Sequence, residues 1–165
     1  MNAKLIVEGK EFDIEILDPK LQELLVPKAK KTGYEKARDY DEYYWVDKIG
    51  NVCVSIEDRY PQLYENANYY SDKTIAENNA RADKLMRQLR RFAVEHRDNN
   101  LDWSNSSALK YTIRYGYSTG FMVGRECFGR DFGAIFFNSE ETAQLAINTF
   151  RDELIWYFTE YKDSL

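Results

Sequence analysis

Two cysteines, one histidine and three prolines are all that the 165 residues hold of those types. Cys53 and Cys127 stand alone and far apart, which is neither a disulfide framework nor a zinc-ligand spacing. They read as two partly buried thiols in a reducing cytoplasm. His96, the sole histidine, lies at the edge of an apolar helical arc with no orienting acid near it in sequence, so it reads as a packing residue rather than a general base. Glycine is scarce, and the spaced glycines of "YGYSTGFMVG" join strands and open no helix, so they seat no phosphate on a helix N-terminus. The acidic clusters, Asp39, Asp41 and Glu42 and then Glu57 and Asp58, lack the glycine and closing glutamate of an EF-hand and read as solvated charge. No apolar run approaches the length of about 18 residues that marks a membrane span. The opening "MNAKLIVEGKEF" has no apolar stretch of signal-peptide length, so secretion is not expected. These absences predict a protein with no catalytic centre, no metal, no cofactor and no membrane segment.

What the chain does have is charge and tyrosine. Aromatic residues make up 15%, with 13 tyrosines against 3 tryptophans. The net charge of −5 hides a pattern: residues 35–72 carry nine acids and four bases, residues 73–97 seven bases and three acids, residues 138–165 six acids and two bases. A basic island therefore lies between acidic segments.

Length predicts one domain, 1–165. Residues 3–16 alternate apolar and polar around Glu8-Gly9-Lys10, as a hairpin does. Asp18-Pro19 fits an N-cap with proline at N1, opening a short helix through Leu25. This N-terminal part, 1–31, runs into the basic connector "VPKAKKTG". The remainder states one theme twice, over 42–98 and 109–161. Hairpins turn at Ile49-Gly50-Asn51 and at Thr119-Gly120, "NANYY" and "FGAIFF" supply third strands, and a helix follows each. The junctions "YYSDKTIA" and "FFNSEETA" match in kind. The expected class is α+β, with antiparallel sheets built from hairpins and two long amphipathic helices in a pseudo-duplicated β-β-β-α unit. Ser71 or Asp72 caps the first helix, and Asn138 with Glu141 fits a capping box for the second.

On the first helix, Ile75, Ala82, Leu85, Met86, Leu89, Phe92, Ala93 and His96 share one arc. On the second, Ala143, Ala146, Ile147, Phe150, Leu154, Tyr157, Phe158 and Tyr161 do the same. Opposite the first arc lie Arg81, Lys84, Arg87 and Arg91, with Arg90 and Arg97 to one side. Such a face suits a phosphate backbone, with tyrosines to stack on bases. The competing reading pairs the charges along the helix, Glu77 with Arg81, Asp83 with Arg87 and Arg91 with Glu95, leaving Lys84, Arg90 and Arg97 over. Net negative charge favours the paired reading. On the second helix Leu145, Thr149, Asp152 and Trp156 form a row off the apolar stripe. Leu145 and Trp156 there are either an exposed interface anchor or a patch covered by the N-terminal hairpin or the Pro27 connector.

Three stretches carry a family resemblance: "KTGYEKA…EYYWVDKIGNVCVSIED", "NANYYSDKTIAENNARADKLMRQLRRFAVEHR" and "FGAIFFNSEETAQLAINTFRDELIWYFTEYKDSL". They resemble short proteins encoded by phages and prophages of Firmicutes, some of which are similar to type II-A anti-CRISPR proteins, inhibitors of the Cas9 nuclease. The likeness spans nearly the whole chain, is strongest over 69–97 and 132–165, and is least in the middle segment beginning "DWSNSSALK". No functional residue carries over from it. The resemblance implies a non-enzymatic inhibitor, in the cytoplasm of the bacterial host, that binds Cas9 or its guide-RNA complex. Acidic and tyrosine-bearing surface would meet the arginine-rich channel of the nuclease, with Asp39, Asp41, Glu42, Glu57, Asp58 and Tyr60 as contacts. The rival is a nucleic-acid-binding accessory protein using Arg81, Lys84, Arg87, Arg90 and Arg91. A sponge for nucleotide signals stands beside it.

Overall fold

The computed structural model describes residues 2–7, 10–15, 31–37, 41–56, 61–97, 100–127 and 129–164. The chain forms two compact units, Met1–Lys31 and Thr32–Leu165. The boundary falls where the sequence separates its N-terminal part from the duplicated theme. In the first unit β1 (Asn2–Val7) pairs antiparallel with β2 (Lys10–Glu15), Leu5 opposite Phe12 and Val7 opposite Lys10. The short helix expected from Asp18-Pro19 lies outside the described residues.

The second unit opens with the hairpin of β3 (Tyr43–Val46) and β4 (Val52–Ser55). Its turn is built by Asp47, whose carboxylate accepts from the backbone N–H groups of Ile49 and Asn51 at 2.9 and 2.8 Å. Those bonds, Asn51's foremost, lower the Asp47 pKa. A short helix α1 (Pro61–Glu65) follows, with proline at its first position. The third strand expected at "NANYY" is reduced to one bridge, in which Tyr70 and Tyr44 exchange backbone hydrogen bonds of 2.8 and 2.9 Å. Ala67 turns the chain with a φ of 54°, so regular pairing stops there. The Asn68 side chain supplies the missing rung. Its oxygen accepts from the Val46 N–H at 2.9 Å, and its amide donates to the Val46 carbonyl at 2.8 Å.

The long helix α2 (Lys73–Glu95) starts at Asp72, which accepts from the Ile75 N–H at 3.0 Å. Ser71 instead donates its hydroxyl to Glu35. The buried face of α2 is wider than the single arc expected. Ala76 and Ala80 join it while Met86 is only half-buried and His96 is exposed. The reason is that α2 serves two cores. Its N-terminal half places Ile75 and Ala76 against Tyr34, Tyr44, Tyr70, Val46 and Val52. Its C-terminal half sends Leu85, Leu89, Phe92 and Ala93 into a larger cluster with Phe137, Ala143, Ala146 and Leu154.

That larger core is floored by a sheet in the order β6 (Gly120–Glu126), β5 (Lys110–Gly116), β7 (Phe136–Phe137). The strand expected over "FGAIFF" is only its last two residues, because Gly133 sits at φ 79° in a turn closed by the Ala134 N–H on Asp131. Ser139, not Asn138, caps the next helix, accepting from the Thr142 N–H at 3.1 Å. The second long helix is in fact two, α3 (Glu140–Thr149) and α4 (Arg151–Thr159). Phe150 joins them at φ −109°, ψ 24°, away from helical values.

The duplication is visible in register. Tyr44 pairs with Tyr70 and Asp72 caps α2, while Tyr111 pairs with Phe137 and Ser139 caps α3. The same sequence offset separates Tyr44 from Tyr111, Tyr70 from Phe137 and Asp72 from Ser139. In both halves the third segment joins the first strand of the hairpin and leads after the same interval into a capped helix.

Candidate functional site

The exposed face of α2 holds the predicted basic row, but its charges pair differently from the expectation. Arg91 and Glu95 do meet, at 3.6 Å. Glu77 is taken by Lys73 at 3.4 Å, and Arg81 reaches across to α4 to bind Glu153 through two bonds of 2.8 and 3.2 Å. The two-bond fork matches guanidinium to carboxylate and lowers the Glu153 pKa. Asp83 and Arg87 form no ion pair. Lys84, Arg87 and Arg90 are therefore exposed and in no ion pair among the described residues. Sequence spacing missed this because a carboxylate one helix away competes for the same guanidinium.

Arg81 also accounts for Trp156. Its guanidinium carbon lies 4.0 Å from the indole centroid, Tyr161 lies 5.7 Å away on another side, and Trp156 is only 8% exposed. The row for which an exposed anchor and a covered patch stood as alternatives is thus divided. Leu145 is exposed and Trp156 is buried under α2. The stripe of Ala143, Ala146, Phe150, Leu154 and Tyr157 holds its helical spacing across Phe150, so Trp156 is covered because Arg81 reaches over it from α2, which spacing along its own helix does not show.

Beside this face, α2, the β3–β4 turn and the α3–α4 junction enclose a cleft of about 1030 Å³. Its apolar lining is Val52, Ala80, Leu85 and Phe150, all buried or half-buried. Its polar lining includes the amides of Asn51, Gln88 and Asn148 and the cations Arg81, Lys84 and Arg151. Gly50 shapes its mouth with a φ of 95°, a backbone conformation that disfavours any residue with a Cβ. Nothing in the sequence pointed here, because the lining is gathered from four elements.

Of the acidic candidates, Asp41 and Glu42 are exposed just before β3, and Glu42 accepts the Tyr44 hydroxyl at 3.0 Å, which raises the tyrosine's pKa. Asp39, Glu57, Asp58 and Tyr60 lie outside the described residues. His96 closes α2, its ring stacked on Phe92 at 3.9 Å and its Nδ1 3.0 Å from the Phe92 carbonyl. The two cysteines are free and half-buried. Among the described residues no group of histidines, cysteines and carboxylates comes together in metal-binding geometry, and no helix is long and apolar enough to cross a membrane.

One charged residue escaped sequence reading altogether. Lys110, 2% exposed, donates its ammonium to the carbonyls of Asn105 and Ala108 at 3.1 and 2.8 Å. Trp103 stands over it at 5.2 Å, and Arg130 covers the same ring at 4.0 Å. Lys110 is thus the peg around which the loop before β5 is wound, a buried charge satisfied by carbonyl oxygens with the Asp102 carboxylate close enough to feel it. Comparison with protein-family models, with curated proteins and with solved structures finds no match for this chain.

Proposed function

We propose that this protein is a non-enzymatic phage anti-defence factor that inhibits Cas9 by binding the guide-RNA-loaded nuclease. The observation that carries the reading is the row of Lys84, Arg87 and Arg90, exposed on α2 and in no ion pair among the described residues, in a chain whose net charge is −5. Cations outside ion pairs within an acidic protein suit a target that offers both signs, and a nuclease carrying RNA in a basic channel is such a target. The row would meet RNA phosphate, while Asp41 and Glu42 would meet protein cations. The choice of Cas9 as the nuclease rests on the resemblance of the quoted stretches to phage and prophage proteins, some similar to Cas9 inhibitors.

The test is capture of Cas9 by tagged protein with and without guide RNA, followed by target binding and cleavage on the complex. Guide-dependent capture that falls when Lys84, Arg87 and Arg90 become glutamate supports the reading. Unimpaired cleavage at large excess over guide-loaded Cas9 from several Firmicutes sinks it.

The same three cations favour a second reading, an accessory protein that binds nucleic acid by itself. Its mark is retention of RNA or single-stranded DNA without Cas9, weakened by salt and weakened about equally on every sequence by the triple substitution.

A further inference from the structure

We infer that the cleft between α2, the β3–β4 turn and the α3–α4 junction is a nucleotide-binding site. At about 1030 Å³ it stands at the top of the range, roughly 300–1,000 Å³, in which small-molecule sites fall. Its lining divides as a nucleotide does. Val52 and Phe150, both half-buried, offer apolar surface for a flat ring. Gln88 presents an amide donor and acceptor, and the Asn51 oxygen and Asn148 nitrogen are open beside the bonds those amides make to Asp47 and Gln144. Such amides read the polar edge of a base, as Asn and Gln do with adenine.

The charges complete the argument. Of the three acids in the lining, Glu77 is held by Lys73 and Glu153 by Arg81, and Asp152 sits in the first turn of α4, where a carboxylate complements the helix's own N-terminus. Lys84 and Arg151 form no ion pair among the described residues, although Lys84 lies near enough to Glu153 to help lower its pKa and the Arg151 guanidinium lies 5.9 Å from the Phe121 ring. Those two cations remain for phosphate. They also occupy equivalent places in the duplicated theme, separated by the same offset that relates Asp72 to Ser139. Each half thus sends a cation from the matching point of its helix into one cleft.

Lys84 belongs both to this cleft and to the row proposed to meet guide RNA, so the test uses substitutions that leave Lys84, Arg87 and Arg90 in place, with Arg87 changed only as the control. The intact protein is titrated calorimetrically with the four ribonucleoside triphosphates and their monophosphates, and in parallel with adenosine and with tripolyphosphate. At least one nucleotide is expected to bind. Arg151→Ala and Asn148→Ala, both at exposed positions, are each expected to weaken it about tenfold by removing a hydrogen bond to the ligand, with Arg87→Ala unchanged. Thermal unfolding of the variants establishes that they fold. Absence of binding by every nucleotide at millimolar concentration overturns the assignment. So does tripolyphosphate binding as tightly as any nucleotide, which reduces the cleft to a patch of charge, and so does an equal loss in Arg87→Ala. Failure of Cas9 capture leaves this result untouched, and failure here leaves the Cas9 reading standing.

Discussion

Replacing Trp156 by alanine separates a buried tryptophan from an exposed anchor. The indole is 8% exposed and meets Arg81 on one side and Tyr161 on another. Truncating a buried Trp to Ala leaves a cavity and costs about 3–5 kcal/mol. Arg81→Ala removes a cation–π contact of about 0.5–1 kcal/mol and an ion pair of about 0–1 kcal/mol, since both charged side chains are more than 40% exposed. The expected order of loss is therefore Trp156→Ala well ahead of Arg81→Ala, with Trp156→Phe between them. Equilibrium urea unfolding followed by far-ultraviolet circular dichroism measures this without relying on the fluorescence that the substitution removes. A Trp156→Ala variant within about 0.5 kcal/mol of the parent would place the ring at the surface and refute the account. Loss of partner binding with stability intact would refute it equally, since that is the signature of an interface anchor.

Gly33 stands at φ 92°, and a Cβ there would meet Ile75 Cγ1 at 2.9 Å, so Gly33→Ala is expected to cost about 1–3 kcal/mol; thermal unfolding unchanged from the parent would contradict the close approach. Asn68→Ala strips the partner from both backbone groups of Val46, with an expected loss of about 1–3 kcal/mol and faster amide exchange at Val46; protection unchanged there would show that the rung is made another way. Glu35 is held down to about 2, first by the Thr32 N–H and then by the Ser71 hydroxyl, against an ordinary 4.5. A depressed carboxyl contributes stability that is complete above pH 4.5 and is lost as pH falls toward 2, so the parent should lose more than Glu35→Gln across that window. Parallel melting-temperature profiles for the two would remove Glu35 from the account.

Much of this fold could be read locally because its determinants are local. The β3–β4 and β5–β6 turns, the hairpin register and the cap at Asp72 depend on residues within a few positions of one another. The misreadings arise partly from a competing neighbour in sequence and partly where a distant element intervenes. Ser139 displaces Asn138 as cap, and the Asn138 side-chain oxygen is left buried without a partner. Arg81 abandons Glu77 because Glu153 offers a fork across the helix interface. Lys110 counts as a surface lysine in any residue-by-residue reading, and only the winding of 105–108 around its ammonium encloses it. The candidate sites divide the same way. The basic row was legible because it lies along one helix, and the cleft was not, because it exists only where four elements converge.

The duplication explains where that cleft falls. Ala76 and Ala143, at equivalent places, are both fully buried, so the two helices leave their caps packed alike. They part further on. At Leu85 the first helix points into the shared core, while the equivalent position in the second half is Asp152, on the exposed first turn of α4. Phe150 departs from helical dihedrals just before that turn, while the backbone bonds from Phe150 to Ala146 and from Leu154 to Phe150 carry on across it, and Trp156 packs under Arg81. The residues on either side of Phe150, Asn148 to Glu153, are the ones that line the cleft on that side. One long helix therefore reaches both cores, and the junction between α3 and α4 borders the space that a ligand can use.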